Sequence, residues 1–101
     1  MEPARSSASE HVGRLVRELR AKTSMSRARL AERAQVDVRH VARIEAGVGN
    51  PTLFVLIQLA TALDVRPERF VKGLTAADLP ENIKPYSEAD FRRELRRRES
   101  D

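Results

Sequence analysis

SRARLAERAQVDVRHVARIEAG, residues 26–47, carries two short stretches of helical pattern separated by a tight turn. Ser26 has a hydroxyl that can cap the free N–H groups of a helix start, and Leu30, Ala31 and Ala34 follow on one face at helical spacing. The second stretch opens on Asp37, another good N-cap, and places Val41 and Ile44 inward. It stops at Gly47, the residue that best tolerates the left-handed conformation after a helix.

Two helices this short bury little surface alone, so a separate scaffold must hold them, and the motif with this geometry is the DNA-binding helix-turn-helix. At 100° per residue, Arg39, Ala42, Arg43 and Ala46 share the face opposite Val41 and Ile44, with Val38 at its edge. Two long cations among small side chains suit a helix lying in a major groove. Arg27 and Arg29 sit in the first turn of the preceding helix, where the macrodipole disfavours cations by roughly 0.3–1 kcal/mol each. An external phosphate would remove that conflict.

The whole chain has 101 residues, a net charge of +4 and no cysteine, so disulfides and thiolate metal sites are excluded. Residues 1–72 hold 13 Lys and Arg against 8 Asp and Glu, whereas residues 73–101 hold 6 against 7. The positive excess lies in the front part, which suits nucleic acid or an acidic surface, although solvated basic faces are common. The longest apolar run, Leu53–Ile57, is too short to span a bilayer, and no basic segment leading into an apolar stretch follows Met1. A protein without a membrane association, located in the cytoplasm, is expected.

Residues 1–8 lack periodicity and read as a disordered arm, in which Arg5 either reaches a minor groove or is simply solvated. The front domain is then residues 9–72. Val12, Leu15, Val16 and Leu19 form an amphipathic helix between Ser9 and Lys22. His11, just before its first apolar residue, is expected at solvent. Val48-Gly49-Asn50-Pro51 is a loop, and Thr52 caps a helix running to about Ala62. Leu53, Leu56, Ile57, Ala60 and Leu63 are the expected core face of that helix, leaving Phe54 and Val55 without an obvious place inside. Pro67 opens a last short helix, with Phe70 and Val71 closing the core.

Residues 12–71 resemble the lambda-repressor-like, Xre-type helix-turn-helix family. VGRLVRELR, MSRARLAERAQV, RIEAG, NPT and LIQLATALDV stand in that family's order and spacing. The resemblance implies an all-α, five-helix domain that binds operator DNA, usually as a homodimer, with the helix from Val38 to Ala46 in the major groove. It also implies that Val38, Arg39 and Arg43 face base edges. Arg27 and Asn50 match positions that hold phosphates, with Arg29 a further phosphate candidate beside Arg27. An Arg guanidinium can donate two hydrogen bonds to guanine O6 and N7, which makes Arg39 the strongest candidate for base reading; Arg43 either reads a base or holds a phosphate. Arg20 and Glu45 match a family pair that makes an internal salt bridge, which fixes orientation more than it adds stability. The chain departs from the pattern twice. Gln35 stands where the family favours glycine, and Arg29 stands where Glu often completes a capping box.

Phe54 and Val55 also stand where the family more often has polar residues. Facing outward, they would form a patch to be covered by a second subunit or by the tail; the alternative is a rotated helix that buries them. That tail is residues 73–101, an extended linker followed by a candidate helix over 87–98, in which Phe91 and Leu95 share a face. With Ile83 and Tyr86 these side chains are candidates for docking on the Phe54 patch or on a protein partner. The expected function is a transcriptional repressor that binds double-stranded DNA at an inverted repeat as a homodimer. The alternative is an antitoxin that uses the same DNA-binding domain while its tail engages a toxin. No set of residues for catalysis, cofactor binding or metal ligation is found; His11 and His40 stand too far apart in sequence to suggest a metal site.

Overall fold

A computed structural model describes residues 3–83 and 88–100 of the chain, and among these all regular structure is helical. Helix α1 spans Ser7–Lys22, α2 spans Arg27–Ala34, α3 spans Val38–Glu45 and α4 spans Leu53–Leu63. The expected last helix of the domain is a single 3-10 turn, Pro67–Phe70, with Pro67 at its start. A second 3-10 turn, Ala76–Asp78, lies in the linker, and α5 spans Glu88–Ser100. Ser87 and Tyr86 lie outside the described residues.

Each of α1–α4 begins where a side chain can take over an unpaired N–H. Ser6 Oγ accepts from Ser9 N, Ser26 Oγ from Arg29 N, Asp37 Oδ1 from Arg39 N and Thr52 Oγ1 from Val55 N. The Ser6 cap starts α1 at Ser7, inside the stretch expected to be a disordered arm. Arg5 N also donates to Gly47 O at 2.9 Å, tying this segment to the end of α3. At the turn between α2 and α3, Gln35 takes the left-handed conformation, with φ 61° and ψ 40°. Its side-chain Nε2 donates to Glu32 O at 3.1 Å.

The inner stripes of the four helices meet in one apolar core. Val16, Leu30, Val41, Leu59 and Phe70 are fully buried within it. Burying a side chain such as Leu30 or Phe70 contributes about 1.5–3 kcal/mol. Phe70 shows how the 3-10 turn closes the domain, but Val71 points outward and is about half exposed.

The largest departure from the sequence expectation is the rotation of α4. Val55 and Leu56 pack against the core and Leu59, Ala60, Ala62 and Leu63 are buried, while Leu53, Phe54 and Ile57 face solvent. Phe54 is 76% exposed. Val55 is therefore partly buried against the core, and Leu53 and Ile57 stand exposed beside Phe54. Phe91 and Leu95 on α5 are also exposed, and α5 buries no residue. Among the described residues the tail thus leaves the Phe54 stripe exposed. What the linker does contact is α1: Ser7 Oγ donates to Asp78 Oδ1 at 2.8 Å.

Candidate nucleic-acid interface

The approach of α1 to α3 sets the position of the exposed helix face. Gly13 sits in the interior of α1, where glycine costs roughly 1 kcal/mol relative to alanine. A Cβ at Gly13 would lie 2.3 Å from Ile44 O, so the bare backbone lets α3 come this close. Arg17 and Arg20 follow Gly13 at four and seven residues, on the same face of α1. Arg17 donates from Nη1 to Glu45 O, serving one of the last carbonyls of α3, where a cation also suits the helix dipole.

Glu45 is the hub of the arrangement. Its side chain is 1% exposed. It accepts from Arg20 Nε at 2.7 Å and Nη2 at 2.9 Å, and from Arg27 Nε at 3.0 Å. Arg20 Nη1 donates to Met25 O at 2.9 Å, which fixes the loop before α2 as well. Burial would raise the Glu45 carboxyl, but hydrogen bonds from Arg20 and Arg27, helped by their charges, outweigh it and hold the group below the usual carboxylate range. The Glu45 hydrogen bond likewise raises Arg20 above its ordinary value. One carboxylate therefore joins α1, α2 and α3.

On the opposite side of α3, the backbone presents Val38, Arg39, Arg43 and Ala46 to solvent, with Ala42 half-buried between them. Arg39 is almost wholly exposed and pairs with Asp37, Nη2 to Oδ2, at 3.3 Å. That side-chain hydrogen bond, followed by the Arg39 backbone N–H, holds the Asp37 carboxyl below its ordinary value. An exposed pair of this kind is readily exchanged for another anion or a base edge.

The two cations at the start of α2 differ. Arg29 is exposed and lies 3.4 Å from Glu32. Arg27 is half exposed and is turned toward Glu45. Asn50 is exposed in the loop after α3. Arg27, Asn50 and the α3 face thus all border solvent around one helix. The apolar spacing of α1 gives Gly13 no role and does not reveal the Arg17 contact; the glycine inside an otherwise regular helix was the available signal. His40 is half-buried at the edge of α3. His11 is also half-buried, with Nε2 closed off from solvent, contrary to its expected position at solvent.

A short helix held across a second one, with cations and small residues on its free face, defines a DNA-binding helix-turn-helix protein. The helix-turn-helix family HTH_3 matches residues 16–70, more than half of the chain, and the chain belongs to that family. It is a non-enzymatic, DNA-binding transcriptional regulator of lambda-repressor-like fold.

Among solved structures, the restriction-modification controller protein C.AhdI from Aeromonas hydrophila is 34% identical, with a TM-score of 0.60. That match covers 61% of this chain and 94% of C.AhdI. SinR, a master regulator for biofilm formation solved in complex with DNA, is 26% identical with a TM-score of 0.58, covering 60% of this chain and 98% of that one. The clp gene regulator ClgR from C. glutamicum shares the fold at 23% identity and a TM-score of 0.59, over 69% of this chain and 87% of its own. No curated protein sequence matches the chain. Among the described residues no helix is long and apolar enough to cross a membrane, and no group of acidic, His or Cys side chains is arranged to hold a metal ion.

Proposed function

We propose that the protein is a cytoplasmic repressor that binds an inverted-repeat operator as a homodimer, with α3 in the major groove. The observation that carries this reading is the free face of α3, where Val38 and Arg39 stand exposed on a helix anchored from behind by Glu45. Val38 offers methyl groups to thymine, and Arg39 offers a guanidinium fork to guanine. Arg43 extends the same face toward a base or a phosphate, while Arg27, Arg29 and Asn50 flank it as phosphate ligands. Leu53, Phe54 and Ile57 supply an apolar stripe for the twofold contact. Two such subunits would place their α3 helices in successive major grooves, roughly 34 Å apart.

The test is selection from fragmented genomic DNA of the source organism at near-physiological salt, followed by sequencing of the bound fragments. Nonspecific phosphate binding falls steeply with salt, so an enriched inverted repeat would identify a dimeric operator. Enrichment of a single half-site would overturn the dimeric part of the reading, and no enrichment by folded protein would overturn operator binding by this chain alone. One observation favours a second reading. Helix α5 exposes Phe91 and Leu95 and buries nothing, which suits the tail of an antitoxin that folds onto a toxin. Co-purification of a small protein lost on Phe91→Glu, Leu95→Glu substitution would favour it.

A further inference from the structure

Behind the proposed DNA-binding face, an open cleft of about 910 Å³ lies between α1 and the segment from the end of α4 through the Pro67–Phe70 turn. This size falls within the range of sites that hold small molecules. Its apolar surface comes from Leu15, Val65 and Val71. The charges around it are not balanced. Arg66 and Glu68 neutralise each other at 2.8 Å, and Asp64 is the one further acid in the lining, with Asp78 near His11 outside it, whereas the lining cations Arg69 and Lys72 have no ion-pair partner among the described residues.

His11 lines the same cleft and is the one side chain with a buried, unpartnered polar atom among the described residues, its Nε2. Arg14 Nη2, which can only donate, lies 3.5 Å from His11 Nδ1. Nδ1 is thus the acceptor in this contact, and in the neutral ring Nε2 carries the hydrogen. A buried N–H without an acceptor costs free energy that a bound oxygen would recover. No hydrogen bond joins His11 Nε2 to the nearby Asp78 carboxylate, whose two oxygens accept from Thr75 N and Ser7 Oγ, both at 2.8 Å. The ring is tethered only by the long Arg14 contact, so turning Nε2 toward the cleft breaks no strong hydrogen bond.

We propose that this cleft binds a small apolar carboxylate, its hydrocarbon against Leu15, Val65 and Val71 and its carboxylate between His11 Nε2 and the cations Arg69 and Lys72. The class follows from the combination: an apolar floor, an unmet N–H donor and a rim with more positive than negative charge. Bound there, the ligand would touch α1, the helix that also carries Gly13, Arg17 and Arg20 against α3.

Octanoate is the probe, titrated into the full chain labelled for NMR, with octanol as the uncharged control. For about ten heavy atoms a dissociation constant on the order of 1 mM is expected. Saturable shifts are expected at the His11 ring and at the Leu15, Val65 and Val71 methyls. Octanoate is expected to bind about tenfold more tightly than octanol, the worth of a charge-assisted hydrogen bond. Lys72→Glu, an exposed substitution that leaves the core untouched, should weaken octanoate about tenfold while leaving octanol unchanged. His11→Ala should have the same selective effect. Shifts confined to Leu53, Phe54 and Ile57, equal affinity for octanoate and octanol, or no saturation at any soluble concentration would each overturn the proposal.

Discussion

Arg27 Nε stands 3.0 Å from Glu45 Oε1, so a cation expected to hold a phosphate beside α3 is tied to the buried carboxylate of α3 itself. The pair gives Arg27 two roles that mutation can separate. Arg27→Ala should cost no more than about 1 kcal/mol of stability, since the guanidinium is half exposed. It should weaken binding to all DNA sequences similarly and reduce the salt slope by about one. Glu45→Ala should cost about 3 kcal/mol in urea unfolding, because it strands Arg20 with its carboxylate partner gone. Equal stability losses for the two variants would contradict the central role of Glu45.

Arg39 reports on base reading. Arg39→Ala should reduce operator affinity by about 1–3 kcal/mol and relax base preference at one position, with little change on random DNA. Competition binding with operator and random duplexes measures this. Equal losses on both would make Arg39 a phosphate ligand.

The Glu45 carboxyl lies lower in the folded chain than its ordinary value. Its contribution to stability is therefore fully present above the unfolded carboxylate value, about 4.3, and is lost as pH falls toward and through the folded value. Urea midpoints measured from neutral pH downward should fall less steeply for Glu45→Gln than for the natural chain. Parallel curves would place the acid sensitivity in other carboxylates.

Gln35 occupies the left-handed region without being glycine. Gln35→Gly removes roughly 1 kcal/mol of backbone strain and returns part of it as unfolded-state entropy. A rise in Tm of about 2–4 °C is expected, whereas β-branched Gln35→Val should lower it. A fall in Tm for the glycine variant would show that the Gln35 hydrogen bond to Glu32 outweighs the strain.

Phe54 tests the proposed twofold contact. Phe54→Glu should shift the protein to monomer in light scattering and weaken operator binding while leaving unfolding cooperative, because the side chain is outside the core. An unchanged mass would remove the α4 stripe from the dimer.

Much of the fold was legible because its signals are local. Ser26, Asp37 and Thr52 cap the helices they were expected to cap, and Gln35, at the position where the family favours glycine, takes the left-handed conformation. Helix α4 was misread in rotation because Leu53–Ile57 is entirely apolar, so no charge marks the solvent side. Val71 was misplaced because the single 3-10 turn leaves only Phe70 pointing inward. Of the candidate interface, the pairing of Arg20 with Glu45 follows a family pattern, but Arg27 adds a second partner set by three-dimensional approach. The role of Gly13 was equally hidden, since its cause is a carbonyl oxygen on a different helix.

The close seat that Gly13 makes for Ile44 separates anchorage from readout. The residues that index α3 to its support lie on one side of the helix, and the solvent-exposed residues lie on the other. The outer positions can therefore be rewritten as a set, like interchangeable type in a fixed press, without resetting the angle at which the helix is held. Retargeting by exchange of Val38, Arg39 and Arg43 is compatible with the fold, whereas any side chain added at position 13 would tilt every contact at once.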